Sequence, residues 1–123
     1  MRFSQLLEEW KAFHFLSVDH STRQTYERRL PALEAFLMNV PVEAIVSRVI
    51  DQMIMFWKSD EFPKGKARHS FEKELDALKV ILNFYRRRRD PRFAIQIYRE
   101  HYTASRVRLI ADQGVRSLSP MEL

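Results

Sequence analysis

Residues 71–91 read FEKELDALKVILNFYRRRRDP, and this stretch decides the fold. Phe71, Leu75, Leu78, Ile81, Leu82 and Tyr85 recur at the three- and four-residue spacing that gathers side chains onto one face of an α-helix. Mostly good helix formers fill the positions between them, and neither glycine nor proline interrupts the run before Asp90-Pro91. The residue before a proline is pushed out of the helical region, so the helix ends there. Followed backwards, the pattern predicts a start at Ala67 and a helix over 67–88. A long helix with one apolar face needs other amphipathic elements to cover that face.

Those elements lie upstream. Phe3, Leu6, Leu7, Trp10 and Phe13 predict helix one over 3–16, and Ser17-Val18-Asp19-His20 breaks it. Ser21 with Gln24 forms a capping-box pattern that opens helix two. Its stripe is Tyr26, Leu30, Leu33, Phe36 and Leu37, with Pro31 inside it predicting a kink near Leu30. Asn39 suits a left-handed helix end and Pro41 a first helical turn, so a third helix is expected over 42–58. There Ile45, Val49, Ile50, Met53, Ile54 and Trp57 face inward, and the stretch 59–66, with Pro63 and Gly65, reads as a loop. Beyond Pro91 a fifth, less regular helical pattern through Phe93, Ile95, Ile97, Tyr98, Tyr102, Val107 and Ile110 stops near Gly114. Ser119-Pro120-Met121-Glu122-Leu123 has the chemistry of a further helix start, which predicts a truncated chain. No segment has the period of a strand, so the expected class is all-α: a four-helix bundle followed by a fifth helical linker segment.

Composition narrows the function classes. The 123 residues suffice for one domain with a modest core. With no cysteine, disulfides and thiolate metal sites are excluded, and His14, His20, His69 and His101 are not spaced as ligands, so no metal and no cofactor is expected. No apolar run is long enough to span a membrane and no signal peptide opens the chain, so a cytoplasmic protein without membrane association is expected. Arg99-Glu100-His101-Tyr102 gathers catalytic residue types, but neighbours on a helix splay by about 100° and do not converge. Glu8-Glu9 and Asp60-Glu61 fail as acid/base pairs for the same reason, and no phosphate-binding glycine loop or nucleophile elbow is present. The chain is not expected to be an enzyme by itself.

Charge is unevenly placed. The net charge is +5, yet residues 1–61 hold seven Lys/Arg against nine Asp/Glu, whereas residues 86–123 hold nine against four. A polyanion is the simplest partner for such a surplus. Lys64, Lys66, Arg68, His69 and Lys73 cover the approach to helix four and its first two turns. Backbone N–H groups point toward anions there, so this is either a phosphate-binding end or a solvated one. Arg86-Arg87-Arg88-Arg89 sits where cations also favour a helix C-terminus, which leaves nucleic-acid contact and a purely structural role both open. Arg23 stands at the start of helix two, while Arg28 and Arg29 read as balancing Glu27 and Glu34.

The sequence also resembles the N-terminal core-binding, or SAM-like, domain of phage integrases and tyrosine recombinases. The resemblance rests on Trp10 in an amphipathic first helix, on Ser21-Thr22 followed by Tyr26, on Leu75-Asp76-Ala77-Leu78-Lys79-Val80-Ile81-Leu82, and on the Asp90-Pro91 stop. Ser119 to Leu123 is similar to the opening of that family's catalytic domain. Ser70 and Glu72 depart from the family's usual Thr and Asn, and residues 92–118 form a longer connection than usual.

The resemblance implies a core-binding domain over 1–91, a helical linker over 92–118 and the first residues of a catalytic domain from 119. It implies a partner in double-stranded DNA, gripped through helices two and four, with the recombinase's own catalytic domain and neighbouring protomers as further partners. Carried over by position, it points to Thr22 and Arg23 on helix two and to Lys66, Arg68, His69, Ser70 and Lys73 on helix four. The family's catalytic Arg, Lys, His and Tyr have no counterpart here. The competing reading is a helical protein-interaction module in which Trp57, Phe93 or Tyr98 forms an exposed apolar patch and DNA is ignored.

Overall fold

The computed structural model describes residues 1–62 and 70–106. Among the described residues five α-helices form and no β-sheet does: α1 (Phe3–His14), α2 (His20–Leu37), α3 (Ser47–Trp57), α4 (Glu72–Arg88) and α5 (Arg99–Arg106). The protein is all-helical, as the periodicity predicts.

α4 is the hub. It packs against α1, α2 and α5, and all six apolar residues of its predicted stripe, Phe71 to Tyr85, are buried. Each such side chain contributes about 1.5–3 kcal/mol of apolar burial, which ties this helix to the rest of the bundle. α3 closes the core from the other side through Ile50, Met53, Ile54 and Trp57, whose indole stacks on Phe71 with centroids 4.9 Å apart. The Trp57 Nε1–H donates to the carbonyl of Ala32 at 2.8 Å, so its one polar atom is satisfied inside the core.

Local chemistry sets the element ends, and here the structure corrects several expectations. α2 is capped by Asp19, whose Oδ1 accepts the Thr22 N–H at 2.8 Å, and not by the Ser21/Gln24 pair. An ionised carboxylate is the stronger partner for the positive end of the helix. α2 continues through Pro31, which lies on its exposed side, and the Glu27 carbonyl that loses its donor there belongs to an exposed residue. The predicted third helix is split into a 3-10 turn, Val42–Ala44, and α3, because Ile45 leaves the helical region with φ −81° and ψ 79°. α4 starts at Glu72 and not at Ala67: Ser70 and Phe71 are non-helical, and the Ser70 Oγ accepts the Glu72 N–H at 3.2 Å. α1 ends at His14 and not at Leu16, and Phe13, expected in its core stripe, is 54% exposed.

The largest departure follows Pro91. Residues 93–98 are not helical, and Phe93 and Ile97 insert into the core before α5 begins at Arg99. The segment 93–106 packs on α3 and α4 as part of the same body. The Gln96 Oε1 accepts the Ser47 N–H at 2.9 Å and so caps α3, which has no cap from its own chain neighbours. Trp57 and Phe93 are therefore core residues, which removes two of the three members of the expected exposed patch; Tyr98 alone is exposed. The predicted helical stretch beyond Arg106, the stop near Gly114 and the helix start at Ser119 lie outside the described residues.

Candidate nucleic-acid interface

Of the ten residues expected to contact DNA, Lys64, Lys66, Arg68 and His69 lie outside the described residues. The other six fall into three groups. Thr22 and Arg23 occupy the first turn of α2. Arg23 is exposed, but its Nη2 donates to the Phe15 carbonyl at 3.0 Å and its guanidinium stands 5.2 Å from the Phe15 ring, so it also ties the α1–α2 connection together.

Ser70 and Lys73 flank the start of α4. Ser70 is half-buried and spends its hydroxyl on the Glu72 N–H, whereas Lys73 is exposed in the first turn. Lys73 lines a cleft of about 220 Å³ between α2 and α4 together with Thr25, Arg28, Arg29 and Glu74. Three cations against one carboxylate leave the cleft cationic. Among the described residues Arg28, Arg29 and Lys73 form no ion pair within 4.0 Å. The salt links expected for Arg28 and Arg29 are thus not made. Glu34 instead lies 3.9 Å from Lys11 of α1. The signal for these two arginines is their spacing, since Thr25, Arg28 and Arg29 stand at i, i+3 and i+4 and share one face of α2.

Arg86 and Arg87 close α4, more than a dozen residues from Lys73. At about 1.5 Å and 100° per residue, Arg87 lies roughly 21 Å from Lys73 along the axis but only about 40° around it, whereas Arg86 is turned away by about 140°. Lys73, the partly exposed Val80 and Arg87 therefore form one stripe along α4. Arg86 donates to Asn83 Oδ1 at 2.8 Å. The rest of the arginine run is held within the bundle: Arg88 stands 4.2 Å from the Phe13 ring centroid, and Arg89 forks onto the Glu9 carboxylate. That bond holds the Glu9 carboxyl below its usual range and raises Arg89.

The Arg99-Glu100-His101-Tyr102 run does not converge. His101 is buried and turns to α3, with Nε2 3.1 Å from Asp51 Oδ1 and 3.3 Å from Ser47 Oγ. Its Nδ1 accepts the Tyr98 N–H at 2.8 Å, so the ring proton resides on Nε2. Serine and aspartate thus share one ring nitrogen, whereas a nucleophilic relay needs one at each. Tyr102 points elsewhere, donating to Asp76 Oδ1 at 2.7 Å on α4; burial and that bond raise its phenol well above the usual range. Among the described residues no group of three or more His, Asp or Glu is placed to hold a metal, and no helix is long and apolar enough to cross a membrane. No protein-family model, curated protein or solved structure matches the chain.

Proposed function

We propose that the chain is the DNA-binding module of a site-specific tyrosine recombinase of the phage-integrase type. Its SAM-like bundle grips duplex DNA through α2 and the start of α4, so that a separate catalytic domain exchanges strands. The observation that carries this reading is the cationic cleft between α2 and α4, where Arg28, Arg29 and Lys73 are gathered without ion-pair partners among the described residues. A groove of this kind holds phosphates, and phosphate contacts position a protein on DNA without reading its sequence. Thr22, Arg23 and Ser70 flank the same two helix starts, and the cations of 64–69 precede one of them. The setting of such a module is the cytoplasm.

The test is a salt titration of binding to a mixed-sequence duplex, read by fluorescence anisotropy. Removing one phosphate-binding cation makes the slope of log affinity against log salt shallower by about 0.9. The triple variant Arg28→Ala, Arg29→Ala, Lys73→Ala is expected to lose between two and three such steps and to bind every duplex more weakly. All three side chains are at least partly exposed, so the fold is retained. An unchanged slope, or no binding by the parent chain at low salt, overturns the proposal.

A further inference from the structure

Phe13 and Leu16, at the end of α1 and just beyond it, stay outside the core, at 54% and 85% exposure. They edge a groove of about 500 Å³ between α1 and the end of α4, whose other apolar walls are Ala12 and Phe84. An apolar residue exposed singly needs no explanation. Apolar side chains gathered along one groove between two helices, with charge at its rim, are the arrangement into which a third, amphipathic helix fits.

The charge at the rim has one sign. Glu9, the one carboxylate among the described residues that line the groove, is already taken by the Arg89 fork. Arg88 stands 4.2 Å from the Phe13 ring centroid and 5.2 Å from that of Phe84, and it forms no hydrogen bond or ion pair among the described residues. Its N–H fork therefore remains open to an acceptor, and a carboxylate matches that fork with two parallel bonds. The exposed Arg86 and Arg87 lie in the same turn, α4 carries no acidic residue after Asp76, and the Asp90 carboxylate accepts the Arg92 N–H.

We propose that this groove docks an acidic amphipathic helix of a partner protein: apolar side chains on one face of that helix enter between Phe13 and Leu16, and a flanking aspartate or glutamate takes the Arg88 fork. Charge selects the occupant. A purely apolar face would fill the groove but cover a guanidinium without giving it an acceptor, which is unfavourable. A basic face is repelled by the arginine run 86–89, and a second copy of a chain with net charge +5 meets the same repulsion. A single nucleic-acid strand would satisfy Arg88, but a base stacks on aromatic rings and gains nothing of that kind from Leu16 or Ala12. The inference is independent of the duplex-binding reading, since Arg28, Arg29 and Lys73 do not line this groove.

Fluorescence anisotropy of a labelled peptide with the 123-residue chain tests it. The probe is a helix of about 16 residues, long enough to form in isolation, with leucines along one face and glutamates on the other. Two controls replace its glutamates by glutamines or its leucines by serines. The leucine/glutamate peptide is expected to bind, and each control to bind about tenfold or more weakly. Leu16→Asp and Arg88→Ala, both at exposed positions, are each expected to weaken binding about tenfold or more with unchanged thermal unfolding. The triple variant Arg28→Ala, Arg29→Ala, Lys73→Ala is expected to bind the peptide as the parent chain does. A parent chain that does not bind, a serine control that binds as well as the probe, or a triple variant weakened as much as the groove variants overturns the proposal. So does an oligothymidine strand that binds the groove more tightly than the peptide and displaces it, which would assign the site to unpaired nucleic acid.

Discussion

His14 lies flat against Trp10, with centroids 4.7 Å apart and planes inclined by 13°, while Tyr26 meets it edge-on at 5.4 Å. Its Nε2 is buried without a hydrogen-bond partner among the described residues, and burial pushes the imidazole below its ordinary 6.5. A charged ring packed against Trp10 and Tyr26 would forfeit hydration that no hydrogen bond among the described residues replaces at Nε2. As pH falls through 6.5 the unfolded chain takes up a proton that the folded chain resists, so stability is lost from there downward. The depressed carboxyls of Glu9, Asp19 and Glu43 act in a lower window, since their contribution is complete above their ordinary values of 4.5, 3.8 and 4.5 and is lost only below them. Urea unfolding between pH 7 and 5 is therefore expected to show a decline that His14→Phe flattens. A decline of equal size in that variant would assign it to another group.

At the scale of elements, the segment 93–106 is held by its ends and by one clip. Phe93 and Ile97 anchor it in the core, His101 joins it to Ser47 and Asp51 of α3, and Tyr102 and Arg106 reach Asp76 and Glu72 of α4. His101→Ala removes a buried donor and acceptor together and leaves the Tyr98 N–H unsatisfied, which costs about 1–3 kcal/mol for the orphaned group. The expected outcome is faster amide exchange confined to 98–106 and the start of α3, with α1 and α2 unchanged; uniform acceleration would mean that α5 unfolds only with the whole bundle. Both the helix expected over this segment and the expectation that no segment has the period of a strand fail here, because Phe93, Ile95 and Ile97 alternate with a period of two, the signature of extended chain. Long periodic elements are legible because many residues vote on one face, as Phe71 to Tyr85 do in α4. Short elements and ends are not: the Asp19 cap competes with Ser21 two residues away, and the break at Ile45 follows from Val42 and Ile45 both entering the core, which tertiary packing decides.

On the whole molecule the same limit governs the candidate site. Lys73 is legible because a cation at a helix start has a local meaning, but Arg28 and Arg29 have acidic neighbours in sequence that offer pairing, and only the packing of α1 on α2 diverts Glu34 to Lys11. The arginine run, a single feature in the sequence, is divided by the fold. Arg88 and Arg89 turn toward α1, Arg86 toward Asn83, and Arg87 alone continues the exposed stripe of Lys73 and Val80. The roughly 21 Å between Lys73 and Arg87 along α4 equals about six base-pair steps of 3.4 Å, so a duplex seated in the cleft and lying along α4 meets both cations within one helical turn. In the salt titration Arg87→Ala is accordingly expected to make the slope shallower by about one, additively with the Arg28/Arg29/Lys73 variant, because the sites are too far apart to share a phosphate. Arg86→Ala, a step away in sequence and turned by about 100°, is expected to leave the slope unchanged. If both arginine variants flatten it equally, the duplex wraps the end of α4 instead of lying along it; if neither does, its footprint ends at the α2/α4 cleft.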